Sequence, residues 1–292
     1  MTIERETRNA IFSSEENIPD TSGIPTITKE ESARQLGIEI AAEAFELPSR
    51  GLVYPLDSVL QKTKGLIEIK AMTANEENIL MSRALIKKGT VLTELFKACV
   101  LTKGVDVESL LVGDRNALMV AIRVTGYGSD YHVSVQCPSC NTTNNVVVDL
   151  TSLETKYLDI DPIEPGQNAF AFQLPVTKKN VVFKFLTGKD EEQISAQLEA
   201  QRKRGLPDTN LITMRLFHSI LSVEGITSRS DIHRFVQFMP ARDSLALRQY
   251  IDAHEPGPDM SFHFQCSNSL CGFEDKIGLP ITSEFFWPNS RR

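Results

Sequence analysis

The chain predicts an α+β fold built of two pseudo-repeated halves, each a strand, then helices, then a cysteine-tipped β-hairpin. Three observations carry that expectation. IEIKAMTANEENI (67–79) recurs as VVFKFLTGKDEEQI (181–194), with Lys70, Thr73 and Glu76-Glu77 matched by Lys184, Thr187 and Asp190-Glu191. The alternating run YHVSVQC ends at Cys137 as MSFHFQC ends at Cys266. Beyond the second cysteine of each pair the apolar positions stay in step: Val146, Val148 and Leu150 lie 6, 8 and 10 residues past Cys140, and Ile277, Leu279 and Ile281 the same distances past Cys271. An internal duplication over 65–150 and 179–281 accounts for all three, with a Pro-containing connector near DIDPIEPG.

The elements follow in order. Residues 1–28 hold Pro19, Gly23 and Pro25 among Ser, Thr and acids without periodicity, which suits a flexible or partner-ordered tail. From Thr28 to Phe45, Ala33, Leu36, Ile40 and Ala44 fall three or four apart, the spacing of an amphipathic helix. Such a helix lies on its own body or docks into a neighbouring subunit, with Leu36 and Ile40 on its apolar stripe. Residues 1–46 carry ten acids against four bases, −6 of the chain's −7, so the acidity belongs to this arm. The organisation expected is therefore an acidic arm (1–46), a first half (47–164) and a second half (165–292).

The body opens on the turn-rich LPSRGLVYP (47–55). Thr73 and Glu76 then form a capping-box pattern at the end of a strand, a junction that places acids at the positive end of a helix. TVLTELFKACVLT sets Leu92, Leu95, Phe96, Cys99 and Val100 on one stripe, which makes Cys99 a core thiol. DRNALMVAIRV is apolar nearly all round and should be buried, with Asp114 as its cap. QRKRG (201–205) suits the solvated C-terminal end of a helix.

Five cysteines in a chain without a signal-peptide pattern or an apolar run of membrane-spanning length argue for metal ligation or burial rather than disulfides. Cys137 and Cys140 form one knuckle, and Cys266 and Cys271 a looser second. Both gaps lie within the ligand spacing of structural zinc sites, and four thiolates around one ion leave no position open for catalysis. Closing a loop of 125 intervening residues costs about 4–5 kcal/mol. Zinc binding in small finger peptides supplies about 10–16 kcal/mol, so one zinc per chain would close a zinc-ribbon-like four-cysteine site. The plainer alternative is two unrelated pairs of reduced thiols. His132 and His263 stand at unequal distances from the cysteines and suit solvated or packed rings, as do His218, His233 and His254.

Phosphate-cradle, dinucleotide, zincin and nucleophile-elbow patterns are all missing, which argues against an enzyme. The acidic balance argues against nucleic acid, although a zinc-ribbon module that binds nucleic acid or regulates is the alternative. The terminal SEFFWP places Phe285, Phe286 and Trp287 together, as anchors for a partner or as rings packed back on their own domain.

Several segments carry a resemblance: LPSRGLVYP, MTANEENIL, LLVGDRNALMVAIRVTGYGSDYHVSVQCPSC with its trailing VVVDL, and, near the end, MPARDSLALRQY, FQCSNSLC and LPITSEFFWP. Over residues 47–288 the chain resembles the baseplate hub and hub-assembly proteins of T-even-type contractile-tailed bacteriophages. That resemblance implies a non-enzymatic structural or assembly role, with other hub and tail proteins as partners and self-association within the baseplate compatible with it. It also implies a location in host cytoplasm during assembly or in the virion tail.

Overall fold

Unpaired strand edges decide how the body begins. The computed structural model describes residues 42–205, 210–281 and 283–286. Within them β1 (Ala42–Glu46) lies antiparallel to the strand that follows α1 (Val59–Lys62), namely β2 (Leu66–Lys70), with Phe45 opposite Ile67. Residues 42–45 are therefore strand and not the end of the expected amphipathic helix. Ile67 and Ile69 are buried, and the N–H and C=O groups beside them need a ladder partner that a helix could not supply. The rest of that expected helix, Leu36 and Ile40 included, lies outside the described residues.

The junction after β2 forms as its residues dictate. Thr73 caps α2 (Ala74–Leu80) in a full capping box, and Lys70 reaches Glu76 at 3.2 Å. Burial pushes the Glu76 carboxyl up, but bonds from Thr73, Asn75 and Lys70 outweigh it and hold it at about 2. Next come α3 (Arg83–Lys88) and α4 (Val91–Cys99), after which Val100 bridges back to Ile69. Cys99 is fully buried, a core thiol whose pKa burial pushes up to about 12.

The long helix α5 (Val112–Tyr127) leads into the first hairpin, β3 (Asp130–Gln136) with β4 (Thr143–Asp149). Asp114 does not cap it: the N-cap position is Leu111, which makes no side-chain bond. Fully buried, Asp114 reaches instead across the fold, accepting from the Ser49 N–H at 2.9 Å and the Tyr54 hydroxyl at 2.5 Å. Those donors sit in the turn after β1, so the carboxylate fixes that turn to the helix.

The connector holds β5 (Thr155–Lys156), and the second half then builds a three-stranded sheet from β6 (Phe170–Gln173), β7 (Asn180–Phe183) and, further on, β8. Thr187 and Asp190 form a second capping box at α6 (Gly188–Lys203), with Lys184 on Asp190 at 2.7 Å. Then come α7 (Leu211–Ser219), β8 (Ile220–Val223), α8 (Arg229–Phe238) and α9 (Ala241–His254). Phe172 stands opposite Val181 and Ile220 beside Phe183. Asp243, third residue of α9, accepts from the N–H groups of Val176 and Thr177 in the turn after β6. The chain closes with β9 (Gly257–Pro258), the hairpin β10 (Ser261–Gln265) and β11 (Glu274–Gly278), and α10 (Ser283–Phe286).

Side chains from both hairpins, α5, α9 and β6–β8 share one core running from Leu47 to Phe286, and Ile194 of α6 packs with Leu186 and Met214 in a second, smaller cluster. β5 pairs with β9, Thr155 opposite Pro258, which ties the connector to the far hairpin. Beside that pairing, a Cβ on Gly113 would lie 1.6 Å from the Pro256 carbonyl oxygen, so α5 approaches the β9 backbone where only glycine fits. Among the described residues no helix is long and apolar enough to cross a membrane.

Candidate metal centre

Alternation delivers the cysteines to their places. Tyr131 and Val133 in β3, and Phe262 and Phe264 in β10, point into the core and fix which way each hairpin faces. Gln136 and Gln265 end the two strands, and each tip then turns back on itself. Cys137 N–H donates to Thr142 O and Asn141 N–H to Cys137 O, both at 2.9 Å. In the other tip, Cys266 N–H donates to Phe273 O and Cys271 N–H to Asn268 O, again at 2.9 Å. The residue after each second cysteine is left-handed, Asn141 at φ +57° and Gly272 at φ +63°, the residue types that tolerate it best.

All four Sγ atoms lie within 4.8 Å of one another. Two of the separations run between hairpins, Cys137 to Cys271 and Cys140 to Cys266, each 3.7 Å. A disulfide would need about 2.05 Å. Four sulfurs at about 2.3 Å from a central ion stand about 3.8 Å apart, so these two separations match a tetrahedral thiolate site, and the four cysteines together could hold a metal ion. Cys137 is buried, Cys266 and Cys271 are half-buried and Cys140 is exposed.

A second layer crosses between the tips. Asn144, buried in β4, donates to Thr142 O at 2.8 Å and to Cys266 Sγ at 3.9 Å, while its Oδ1 accepts from the Ser267 N–H at 2.6 Å. Asn268 answers from the other side, 3.9 Å from Cys140 Sγ. The Thr142 hydroxyl, 3.2 Å from Cys140 Sγ, and the Thr142 backbone hold that thiol down to about 6. At Cys266 the Asn268 backbone pulls the thiol down, but burial and the neighbouring sulfurs push it up to about 11. One sulfur thus ionises readily, and a bound cation would draw off the remaining protons. Asn144 was missed by pattern reading, although a polar residue at an inward position of an alternating strand marks it.

The histidines stand apart from this cluster. His132 and His263 are exposed on their strands, and His263 bonds Glu274 at 2.6 Å. His254 bonds Asp159 at 2.7 Å, His233 packs on Phe217, and buried His218 lies 3.8 Å from Asp190. Of the two readings of the aromatic end, Phe285 and Phe286 follow the second and pack back on their own domain: both are buried, Phe285 edge-on to Tyr131 with centroids 5.2 Å apart. Tyr131 points inward from β3, and its ring requires that cover. Trp287, like the arm, lies outside the described residues.

A family model described as T4 bacteriophage base plate protein matches residues 53–287, a span that includes both cysteine pairs. No curated protein and no solved structure matches the chain.

Proposed function

The chain belongs to the T4 bacteriophage base plate protein family, and from that premise we propose that it is a non-enzymatic structural or assembly component of the hub of a contractile-tail baseplate. Its partners are then other hub and tail proteins. The arm, with Leu36 and Ile40, and Trp287 at the far end are its docking elements. Assembly in host cytoplasm and residence in the virion tail follow from that role.

One zinc ion braces the body. The observation that carries this is the convergence of four sulfurs, and of no other ligand type among the described residues, from hairpins with 125 residues between them. An all-sulfur tetrahedron suits zinc, and its closed shell suits a brace rather than a catalyst.

The halves are a diverged duplication. From the third position of α5 and of α9 to the first cysteine that follows, equivalent residues are 129 positions apart: Asp114 and Asp243, Ala117-Leu118 and Ala246-Leu247, Cys137 and Cys266. A two-residue insertion then separates Cys266 from Cys271. The matched pairing of Phe45 with Ile67 and of Phe172 with Val181 extends the correspondence to the first strands.

Mass spectrometry of purified virions tests the role: a hub subunit appears in near-fixed copy number, and an assembly factor is found only in lysates, bound to hub intermediates. Binding to neither virions nor tail proteins removes the proposal. Elemental analysis of protein purified without chelator tests the brace, with one zinc per chain expected and a content well below that refuting it.

A further inference from the structure

Between β1 and α5 the first half leaves an open groove of about 300 Å³, walled by Phe45, Ile69, Ala121 and Thr125 and bordered by Glu43 and Glu46. The second half shows what fills the equivalent space. There Tyr250 of α9 packs on Phe172 with ring centroids 4.7 Å apart, on Phe183 at 5.9 Å and on His254 at 4.5 Å. Each has a counterpart in the groove. Phe172 and Phe45 hold the same place opposite β7 and β2, Phe183 and Ile69 carry the same bridge from Ile220 and Val100, and His254 and Thr125 lie one helical turn past Tyr250 and Ala121. Ala121 stands where Tyr250 stands, in NALMVAI (116–122) against LALRQYI (245–251). The first half therefore keeps the walls of an aromatic socket and lacks the ring.

Charge identifies the rest of the occupant. Glu43, exposed on the groove's edge, takes the place that Phe170 fills as a buried ring in the second half. Glu46 lies 3.7 Å from Arg50, whose guanidinium is spread over Tyr157, and Glu43 has no such partner among the described cations. An apolar floor with an acid at its lip fits an aromatic ring that arrives beside a positive charge.

We propose that the groove between β1 and α5 is a docking socket for a segment of a partner protein, which inserts a tyrosine-like ring against Phe45 and Ala121 and sets an adjacent lysine or arginine on Glu43. The socket names a contact that the hub assignment does not contain. It depends on the correspondence of the two halves and not on the metal, so loss of the zinc brace would leave it standing.

The test is an amide-resolved NMR titration of the full chain with two blocked tripeptides, Lys-Tyr-Lys and Lys-Ala-Lys. The tyrosine peptide should shift the amides of Phe45, Ala121 and Thr125 and bind about tenfold more tightly than the alanine peptide, as burial of one ring implies. Ala121→Tyr, which supplies the missing ring internally, should abolish those shifts. Glu43→Lys, at an exposed position that does not threaten folding, should weaken binding about threefold or more by reversing the charge at the lip. Equal affinity for the two peptides, shifts confined to other surfaces, or binding unchanged in both variants would overturn the socket. If instead the same amides shift with protein concentration alone and Ala121→Tyr stops it, the occupant is a second copy of this chain and the proposed partner is wrong.

Discussion

Asp114 and Asp243 hold the same position in their helices and grip the same kind of turn, yet their surroundings reverse the effect of the charge. Asp114 is sealed against Tyr54, and burial pushes its carboxyl up, with the bonds from Ser49 and Tyr54 pulling it only part of the way back. At Asp243 burial also pushes up, but the N–H groups of Val176 and Thr177 outweigh it and leave the carboxyl below its usual range. Both carboxylates are fully buried, but Asp114 grips a turn whose Ser49 and Tyr54 are sealed in the core, and Asp243 a turn whose Val176 is exposed. Four pairs of equivalent residues test how far the two halves are alike.

The largest effect is expected where the halves should be equal. In the proposed brace Cys137→Ser and Cys266→Ser would each remove one ligand from one centre, so both should lower stability by a similar amount, on the order of 3–5 kcal/mol. Denaturant unfolding with and without chelator measures it, and the chelator should erase the difference between either variant and the parent. Strongly unequal losses would mean that the two knuckles do not share an ion.

Where the halves differ, a single methyl group should separate them. Gly113 touches the Pro256 carbonyl, whereas Arg242, its counterpart before Asp243, is exposed. Gly113→Ala should cost about 1–3 kcal/mol or more as the β9 backbone is pushed aside. Arg242→Ala should change stability by no more than about 0.5 kcal/mol. Similar values for the two would show that α5 and β9 can part without penalty.

What local chemistry decides was legible beforehand, and what distant partners decide was not. Thr73 with Glu76 and Thr187 with Asp190 act within a few residues, so their spacing announced the caps; the cysteine site spans 125 residues and was legible only because each pair keeps a short spacing of its own at the end of a matched strand. The strand at Ala42–Glu46 depends on β2, some twenty residues on, and its Ala and Glu content imitates a helix until that edge is present. Asp114 looked like a cap because nothing in GDRNAL points to Ser49 or Tyr54. Phe285 and Phe286 gave no sign of Tyr131 beneath them. The cross-links of Asn144 to Cys266 and of Asn268 to Cys140 exist only once the two tips meet.

The two aspartates predict opposite pH trends. A carboxyl raised in the folded state contributes stability that is fully present below its unfolded pKa and is lost as pH rises through its folded pKa. Asp114→Asn should therefore show its greatest deficit in acid, shrinking as pH rises through the raised value. Asp243 is depressed, so its contribution is present above the unfolded pKa and lost as pH falls through the folded one. Asp243→Asn should be weakest relative to the parent near neutrality, by about 1–3 kcal/mol, and converge with it in acid. Thermal unfolding of both variants across pH decides it, and parallel trends would deny the contrast between the two anchors.

The smallest effect tests whether the two capped junctions are equivalent. Thr73→Ala and Thr187→Ala each remove a capping hydroxyl, worth about 1 kcal/mol at a helix N-terminus. In each box the hydroxyl also bonds the acid three residues on, at 2.6 Å to Glu76 and 2.7 Å to Asp190. Asp190 keeps both carboxylate oxygens on Lys184 at 2.7 Å, whereas Glu76 meets Lys70 through one oxygen at 3.2 Å and leans more on Thr73. Loss of the hydroxyl should consequently raise the Glu76 carboxyl further than the Asp190 carboxyl. Glu76 is held at about 2, below its ordinary 4.5, so its contribution is present above 4.5 and fades as pH falls through about 2. In Thr73→Ala that fading should begin at higher pH than in the parent, while Thr187→Ala should leave the acid limb of the unfolding profile nearly unchanged. Carbon-detected titration of the two carboxyls separates the outcomes, and an equal rise at both would mean that the lysines, not the threonines, set the charge at these junctions.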